Sequence, residues 1–185
     1  MIVFIVGGSK SKKSYYGEKI SESLFNNIGN LYYLATMKPY DKEDLKRIDE
    51  HIKSRDGHGY KTLEVQRDII SIIDIINAED TILLDSITSL ATNEMFPSEK
   101  IVENIREKIV DEISKISTKV RNLVIVSDYV FSDGIIYDEC TENFRRELGK
   151  INFDIAKISD VVIESSFGNL IVHKGKERIK NEALI

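Results

Sequence analysis

Apolar, β-branched runs alternate with segments of helical period along this 185-residue chain. Ile2 to Val6 has the unbroken apolar pattern of a short buried strand. A polar, lysine-rich turn follows. Tyr16, Ile20 and Leu24 then fall four apart, as one face of a helix does. Leu31 to Thr36 reads as a second strand. Asp41 to Lys53 is predicted helical, with Leu45, Ile48 and Ile52 on one face and Asp41 as its N-cap. Ser54 to Tyr60 is polar, carries Gly57 and Gly59, and reads as a loop. Val65 to Asn77 places Val65, Ile69, Ile72, Ile73 and Ile76 in one stripe and predicts a helix. Thr81 to Asp85 is a strand pattern that ends in a carboxylate. Ser98 to Lys119 predicts a long helix with Val102, Ile105, Ile109, Ile113 and Ile116 inward. Asn122 to Ser127 is a further strand, and Asp128 to Cys140 a loop. Thr141 to Ser159 is helical, with Phe144, Leu148, Ile151, Ile155 and Ile158 at spacings of three and four. Val161 to Glu164 and Leu170 to His173 are late strands, joined by a hairpin-like turn at Ser166 to Asn169.

Alternation of this kind predicts an α/β fold with a mostly parallel sheet, helices on both faces and a late antiparallel hairpin. Residues 1–185 read as one domain, without linker, internal repeat or low-complexity segment. Sheets of this class bind ligands beyond the carboxyl ends of their strands. The loops after Val6, Thr36, Asp85 and Ser127 are therefore expected around one crevice.

Composition narrows the function classes. Apolar residues make up 42% and charged residues 31%, the profile of an ordinary globular protein. The net charge of -5 gives no reason to expect a nucleic-acid partner. The single cysteine, Cys140, excludes an internal disulfide, and no Cys/His cluster suggests zinc. The first apolar run is too short for a signal sequence, and no stretch approaches the roughly 20 apolar residues of a membrane span. A cytoplasmic protein is the expectation.

The strongest chemical signal is the segment Gly7-Gly8-Ser9-Lys10-Ser11-Lys12-Lys13-Ser14 between a strand and a helix. A phosphate loop needs main-chain amides turned inward, a lysine that reaches the terminal phosphates, and a hydroxyl for Mg²⁺ at the first helical turn. Gly7, Lys13 and Ser14 have the spacing of G-x-x-x-x-G-K-[ST]. Lys12 stands at the second glycine position, where a positive φ would cost a side chain on the order of 1–2 kcal/mol. Asp85 ends an apolar strand, where a P-loop protein holds its metal; capping a helix that begins near Ser86 would need the same side chain.

The combined segments resemble the bifunctional adenosylcobinamide kinase / adenosylcobinamide-phosphate guanylyltransferase family. That family's phosphate loop, G-G-x-x-S-G-K-S, matches Gly7 to Ser14 apart from Lys12. Its Y-I-A-T matches Tyr33-Leu34-Ala35-Thr36. Its R-I-x-x-H matches Arg47 to His51, and its W-x-T-x-E corresponds to Tyr60 to Glu64 with Tyr60 in place of the tryptophan, Arg55 lying between the two. Its L-L-x-D-x-[IL]-T and later Asn match Leu83 to Thr88 and Asn93. Its S-N-E-V-G, G-I-V-P, F-R-D and G-x-x-N correspond to Ser127 to Phe131, Gly134 to Tyr137, Phe144 to Arg146 and Gly149 to Asn152. Asp128-Tyr129 replaces the family's Asn-Glu, and Tyr137 replaces its proline.

The resemblance implies a P-loop NTPase-like, RecA-like fold and two reactions. The first is phosphorylation of the aminopropanol hydroxyl of adenosylcobinamide by GTP or ATP. The second is transfer of GMP from GTP to that phosphate through a guanylyl-histidine. It implies His51 and Lys13 as catalytic residues and Ser14 and Asp85 as Mg²⁺ ligands. Nucleotide contacts would come from Gly7, Gly8, Ser9, Lys10, Ser11, Lys12, Lys13, Ser14, Thr36, Arg47, Arg55, Glu64 and Asp85. It also implies a homotrimer. Spacing alone sets Glu43, Arg47, His51 and Arg55 on one helix face, and by itself favours a solvated charged surface with an incidental histidine; the resemblance reverses that reading. His58 is the rival nucleophile, and His173 reads as structural. Two alternatives stay open: a nucleotide-binding homologue that has lost catalysis, and another small-molecule P-loop kinase.

Overall fold

Apolar β-branched runs with no polar alternation bury both faces, and only a sheet covered on each side accommodates them. The computed structural model describes residues 1–98, 100–130 and 134–179, and within these the side chains of Arg47 and Ser54 are left undescribed. The strands are β1 (Ile2–Gly7), β2 (Leu31–Ala35), β3 (Tyr60–Glu64), β4 (Thr81–Asp85), β5 (Asn122–Asp128), β6 (Val161–Ser166) and β7 (Asn169–Lys174). They form one sheet in the order β3-β2-β4-β5-β1-β6-β7. Every pairing is parallel except β6 with β7. The expected antiparallel hairpin is therefore present.

The helices are α1 (Lys13–Leu24), α2 (Lys42–Ser54), α3 (Ile87–Met95), α4 (Ile105–Lys119) and α5 (Glu139–Ile158). The pleat divides the core in two. Val3, Ile5, Tyr33, Leu83, Val124 and Val126 point to the face that α1 covers through Ile20. Phe4, Leu34, Ile82, Leu84 and Ile125 point to the other, packed by α3, α4 and α5 through Leu90, Ile109, Ile113, Leu148 and Ile151. Gly17 lets α1 sit close to the sheet: a Cβ there would meet Val126 Cγ2 at 2.9 Å and Leu83 Cδ1 at 3.0 Å.

Two predicted helices are corrected. Val65 to Asn77 is not an α-helix; it holds only the short 3-10 helix Ile69–Ile72, flanked by turns. The stripe itself is real, since Ile69, Ile72 and Ile76 are buried. The backbone, however, takes tertiary partners. Asp68, at φ 51°, donates its N–H to Glu94 Oε1 at 2.7 Å, and Asn77 N–H donates to Asp80 Oδ2 at 2.7 Å. Isoleucines stiff at χ1 give an α-helix little support against such competition. The helix expected from Ser98 starts only at Ile105, because Asn104 lies in the left-handed region at φ 59° and Val102 N–H bonds Met95 O. Tyr60 to Glu64, read as loop end and motif, is the edge strand β3. Its mostly exposed side chains carry no strand periodicity.

Glu112 on α4 is buried, and its Oε2 has no hydrogen-bond partner among the described residues. Burial pushes its carboxyl above the ordinary range, with the Lys108 charge opposing. A raised folded-state value means that stability is fully present below the unfolded-state value and is lost as pH rises through the folded one. Glu112→Gln should therefore stabilise the protein by about 1 kcal/mol at neutral pH. The gain should vanish below about pH 4. Urea midpoints at the two pH values test this.

Candidate functional site

The carboxyl ends of the parallel strands open into a cleft of about 950 Å³. The phosphate loop forms one wall. Gly7 ends β1 where nothing larger fits: a Cβ would lie 2.4 Å from Ser11 Oγ and 2.6 Å from the Ser165 carbonyl. Ser165 Oγ donates to Ser11 O at 2.5 Å, and Tyr129 N–H donates to Gly7 O at 3.2 Å. The turn is thus held from β6 on one side and from the end of β5 on the other. Ser9, Lys10, Ser11, Lys12, Lys13 and Ser14 line the cleft, while Gly7 and Gly8 are not among its lining residues.

Lys12 adopts the backbone that the motif's glycine would supply, φ 67° and ψ 17°, immediately before α1. The loop therefore keeps its expected geometry despite the substitution. Glycine would relieve roughly 1–2 kcal/mol of left-handed strain and give back about 0.5–1 kcal/mol in unfolded-state entropy. Relief wins, so Lys12→Gly should raise stability by about 0.5–1 kcal/mol, measurable as a shift in the denaturation midpoint.

Lys13 points back along the loop. Its Nζ donates to Gly8 O at 3.3 Å and is ion-paired with Asp128 Oδ1, both side chains being largely buried. Asp128 was read only as a departure from a motif, and its pairing with Lys13 comes from the adjacency of β1 and β5. Asp85, at the end of β4, lines the cleft and accepts the Tyr33 hydroxyl at 3.0 Å. It is not the cap of α3; Ser86 holds that position, with its side chain accepting from Ser89 N–H.

The opposite wall comes from α2 and β3. Asp41 caps α2 as expected, accepting from the N–H groups of Glu43 and Asp44. Leu45, Ile48 and Ile52 enter neither apolar core and line the cleft instead, with Met37 and Pro39. His51 lines the same cleft, as do Thr62 and Glu64 from β3. Arg47 falls within α2, but its side chain lies outside the described residues. Thr36 is buried outside the cleft lining and bridges β2 to β4: its Oγ1 donates to Ser86 O and accepts from Ser86 N–H, both at 2.8 Å. It positions the strand ends.

Arg55, just past α2, is only 7% exposed yet lines the cleft. Its guanidinium stacks on the Tyr33 ring, 3.3 Å from the centroid. Nη1 stands 4.0 Å from Glu18 Oε1 and has no hydrogen-bond partner among the described residues. A buried cation with an unused donor is ready for an anion. Sequence reasoning missed Tyr33, which holds both Arg55 and Asp85. Burial, then the Asp85 charge, pushes its hydroxyl well above the ordinary tyrosine range, so it remains a donor.

The other histidines lie elsewhere. His58 Nδ1 pairs with Glu22 Oε1 at 2.9 Å on α1, and His173 Nε2 with Glu164 Oε2 at 2.9 Å on the hairpin. Neither lines the cleft. Among the described residues no three His, Cys, Asp or Glu side chains gather as a metal cage. The hard oxygen donors on hand, the Ser14 hydroxyl and the Asp85 carboxylate, suit a Mg²⁺ that takes its remaining ligands from phosphate and water. No helix among the described residues is long and apolar enough to cross a membrane.

Comparison with known proteins finds relatives over most of the chain. Residues 3–171 match the family described as cobinamide kinase / cobinamide phosphate guanyltransferase. The bifunctional adenosylcobalamin biosynthesis protein CobU of Salmonella typhimurium is 26% identical over 174 residues, covering 88% of this chain and 93% of that one. Its Escherichia coli counterpart is 25% identical over the same length, with the same coverage. Among solved structures, an ATPase domain superposes with a TM-score of 0.54 at 11% identity, over 95% of this chain and 77% of that one. That likeness concerns the RecA-like fold alone.

Proposed function

Because the chain belongs to the cobinamide kinase / cobinamide phosphate guanyltransferase family, we propose that its cleft carries out both reactions of such a protein. The cleft phosphorylates the hydroxyl of adenosylcobinamide with GTP or ATP, then transfers GMP from GTP to the new phosphate. The observation that carries the reading is the meeting of two kinds of residue in one cavity. The phosphate loop with Lys13, Ser14 and Asp85 faces a histidine, His51, and a buried arginine, Arg55, with an unused donor. A kinase alone needs the first group, and a nucleotidyl transfer through histidine needs the second.

In the kinase step the main-chain amides of the loop and the Lys13 ammonium hold the phosphates. They offset charge that builds on the transferred group. Mg²⁺, when bound at Ser14 and Asp85, supplies further charge neutralisation. In the transfer step the His51 imidazole attacks the α-phosphorus of GTP. A nitrogen–phosphorus bond forms and pyrophosphate leaves with the electron pair of the broken bond. An oxygen of cobinamide phosphate then attacks the same phosphorus and releases His51. Arg55, fixed by Tyr33, is placed to accept the charge of the phosphoryl oxygens.

The test is incubation with α-labelled GTP, followed by cobinamide phosphate. The protein should acquire acid-labile label and then pass it to the corrinoid. Nucleotide binding without any label would leave a binding homologue as the better reading.

A further inference from the structure

We propose that Asp128 is the proton acceptor for the substrate hydroxyl in the kinase step. The inference rests on the kinase reading above and extends it to a residue that the family motifs do not supply. Strand spacing first ranks the carboxylates. Parallel neighbours lie about 4.8 Å apart. Glu64 ends β3, four strands from β1, so about 19 Å separates its strand from the one that carries the phosphate loop. Asp85 ends β4, two strands away, and accepts the Tyr33 hydroxyl. Asp128 ends β5, the immediate neighbour, and pairs in register with Gly7. Glu164 flanks β1 on the other side, but it is bonded to His173 and does not line the cleft.

The local geometry then places a hydroxyl. The Lys13 ammonium has three N–H donors. Among the described residues one reaches Gly8 O and one reaches Asp128, which leaves the third for a terminal phosphate. Two oxygens bonded to one ammonium sit about 4.5 Å apart. An acceptor hydroxyl fits between them, with its oxygen toward phosphorus and its hydrogen toward the Asp128 carboxylate. The backbone of Asp128 is fixed on both sides: its N–H donates to Thr88 Oγ1 and its carbonyl accepts from Asn152 Nδ2, each at 3.0 Å. Asn152 is itself held by the buried Ser127 hydroxyl at 2.7 Å. Tyr129 turns elsewhere, with its hydroxyl on Glu164 at 3.5 Å. The carboxylate that the resemblance expects at position 129 is thus delivered into the cleft from position 128.

The substrate oxygen forms a bond to the terminal phosphorus as the bond to the bridging oxygen breaks. The nucleoside diphosphate leaves with that electron pair. The hydroxyl proton passes to Asp128 and on to solvent once the product departs.

Asp128→Asn in the full chain tests the assignment. At saturating nucleotide its kcat for cobinamide phosphorylation should fall about 100-fold or more, while the nucleotide dissociation constant stays within about threefold, because the phosphate loop is intact. Asp128→Glu, which keeps the charge and the pairing with Lys13, should recover part of the rate and guards against simple misfolding. A kcat for Asp128→Asn within about threefold of wild type overturns the inference alone. So does a loss confined to nucleotide affinity. A wild type that phosphorylates no cobinamide overturns the kinase reading and the inference with it.

Discussion

Replacing His51 with alanine is expected to abolish the acid-labile guanylyl label and transfer of GMP to cobinamide phosphate, and to leave phosphorylation of cobinamide standing. The reason is the division of the cleft. On the proposed function phosphoryl transfer draws on residues 9–14, whereas His51 sits on α2 in the opposite wall. If His51 is the proposed nucleophile, its removal closes the two-step route, so label should drop to background. His58→Ala is the informative control. His58 Nδ1 lies 2.9 Å from Glu22 Oε1 on α1 and does not line the cleft, so its loss should leave labelling at the wild-type level. Label that survives His51→Ala, or disappears with His58→Ala, would transfer the nucleophile's role to another residue. Quantifying acid-labile radioactivity on gels of the three proteins decides it.

The second large effect is on the kinase step. Lys13→Ala should lower kcat for cobinamide phosphorylation by between about 10² and 10³, the usual cost of removing one preorganised donor from developing charge. The side chain is largely buried, donates to Gly8 O and is ion-paired with Asp128. Removing it also strands Asp128 without a cation. The losses from Lys13→Ala and Asp128→Asn should therefore not add. A double mutant slower by the full product of the two single effects would argue that they act independently. Thermal unfolding of each variant, followed by circular dichroism, separates this from loss of fold.

The fold class was legible because the code for a parallel sheet is coarse. Ile2 to Val6, Thr81 to Asp85 and Asn122 to Ser127 are apolar on both faces, and such runs have few stable uses. The backbone of the turn over residues 7–14 was legible for a related reason: its geometry is local, and Gly7, Lys13 and Ser14 sit within eight residues of one another. Even the departure at Lys12 was readable as a demand for positive φ, which the structure meets at 67°. The segment from Val65 to Asn77 was not legible. Its burial stripe fitted helical period, but whether those isoleucines ride on an α-helix or on a 3-10 turn depended on Glu94 and Asp80, residues distant along the chain or beyond the stripe.

What the chain pattern determined without help was the alternation that sets β1, β2, β4, β5 and the late hairpin between helices, the capping of α2 by Asp41, and the backbone of the turn over residues 7–14, all fixed by neighbours in sequence. What only tertiary structure decided was the company those pieces keep. The apolar face of α2 fits a core helix by pattern, yet Leu45, Ile48 and Ile52 line the cleft, since neither face of the sheet takes them. Arg55 became a buried anion-ready cation through Tyr33, a residue of another strand. Asp128 met Lys13 because β5 pairs with β1, a contact between positions far apart in the chain. Strand order sets such distances, and strand order follows from which apolar surfaces pack together over the whole molecule.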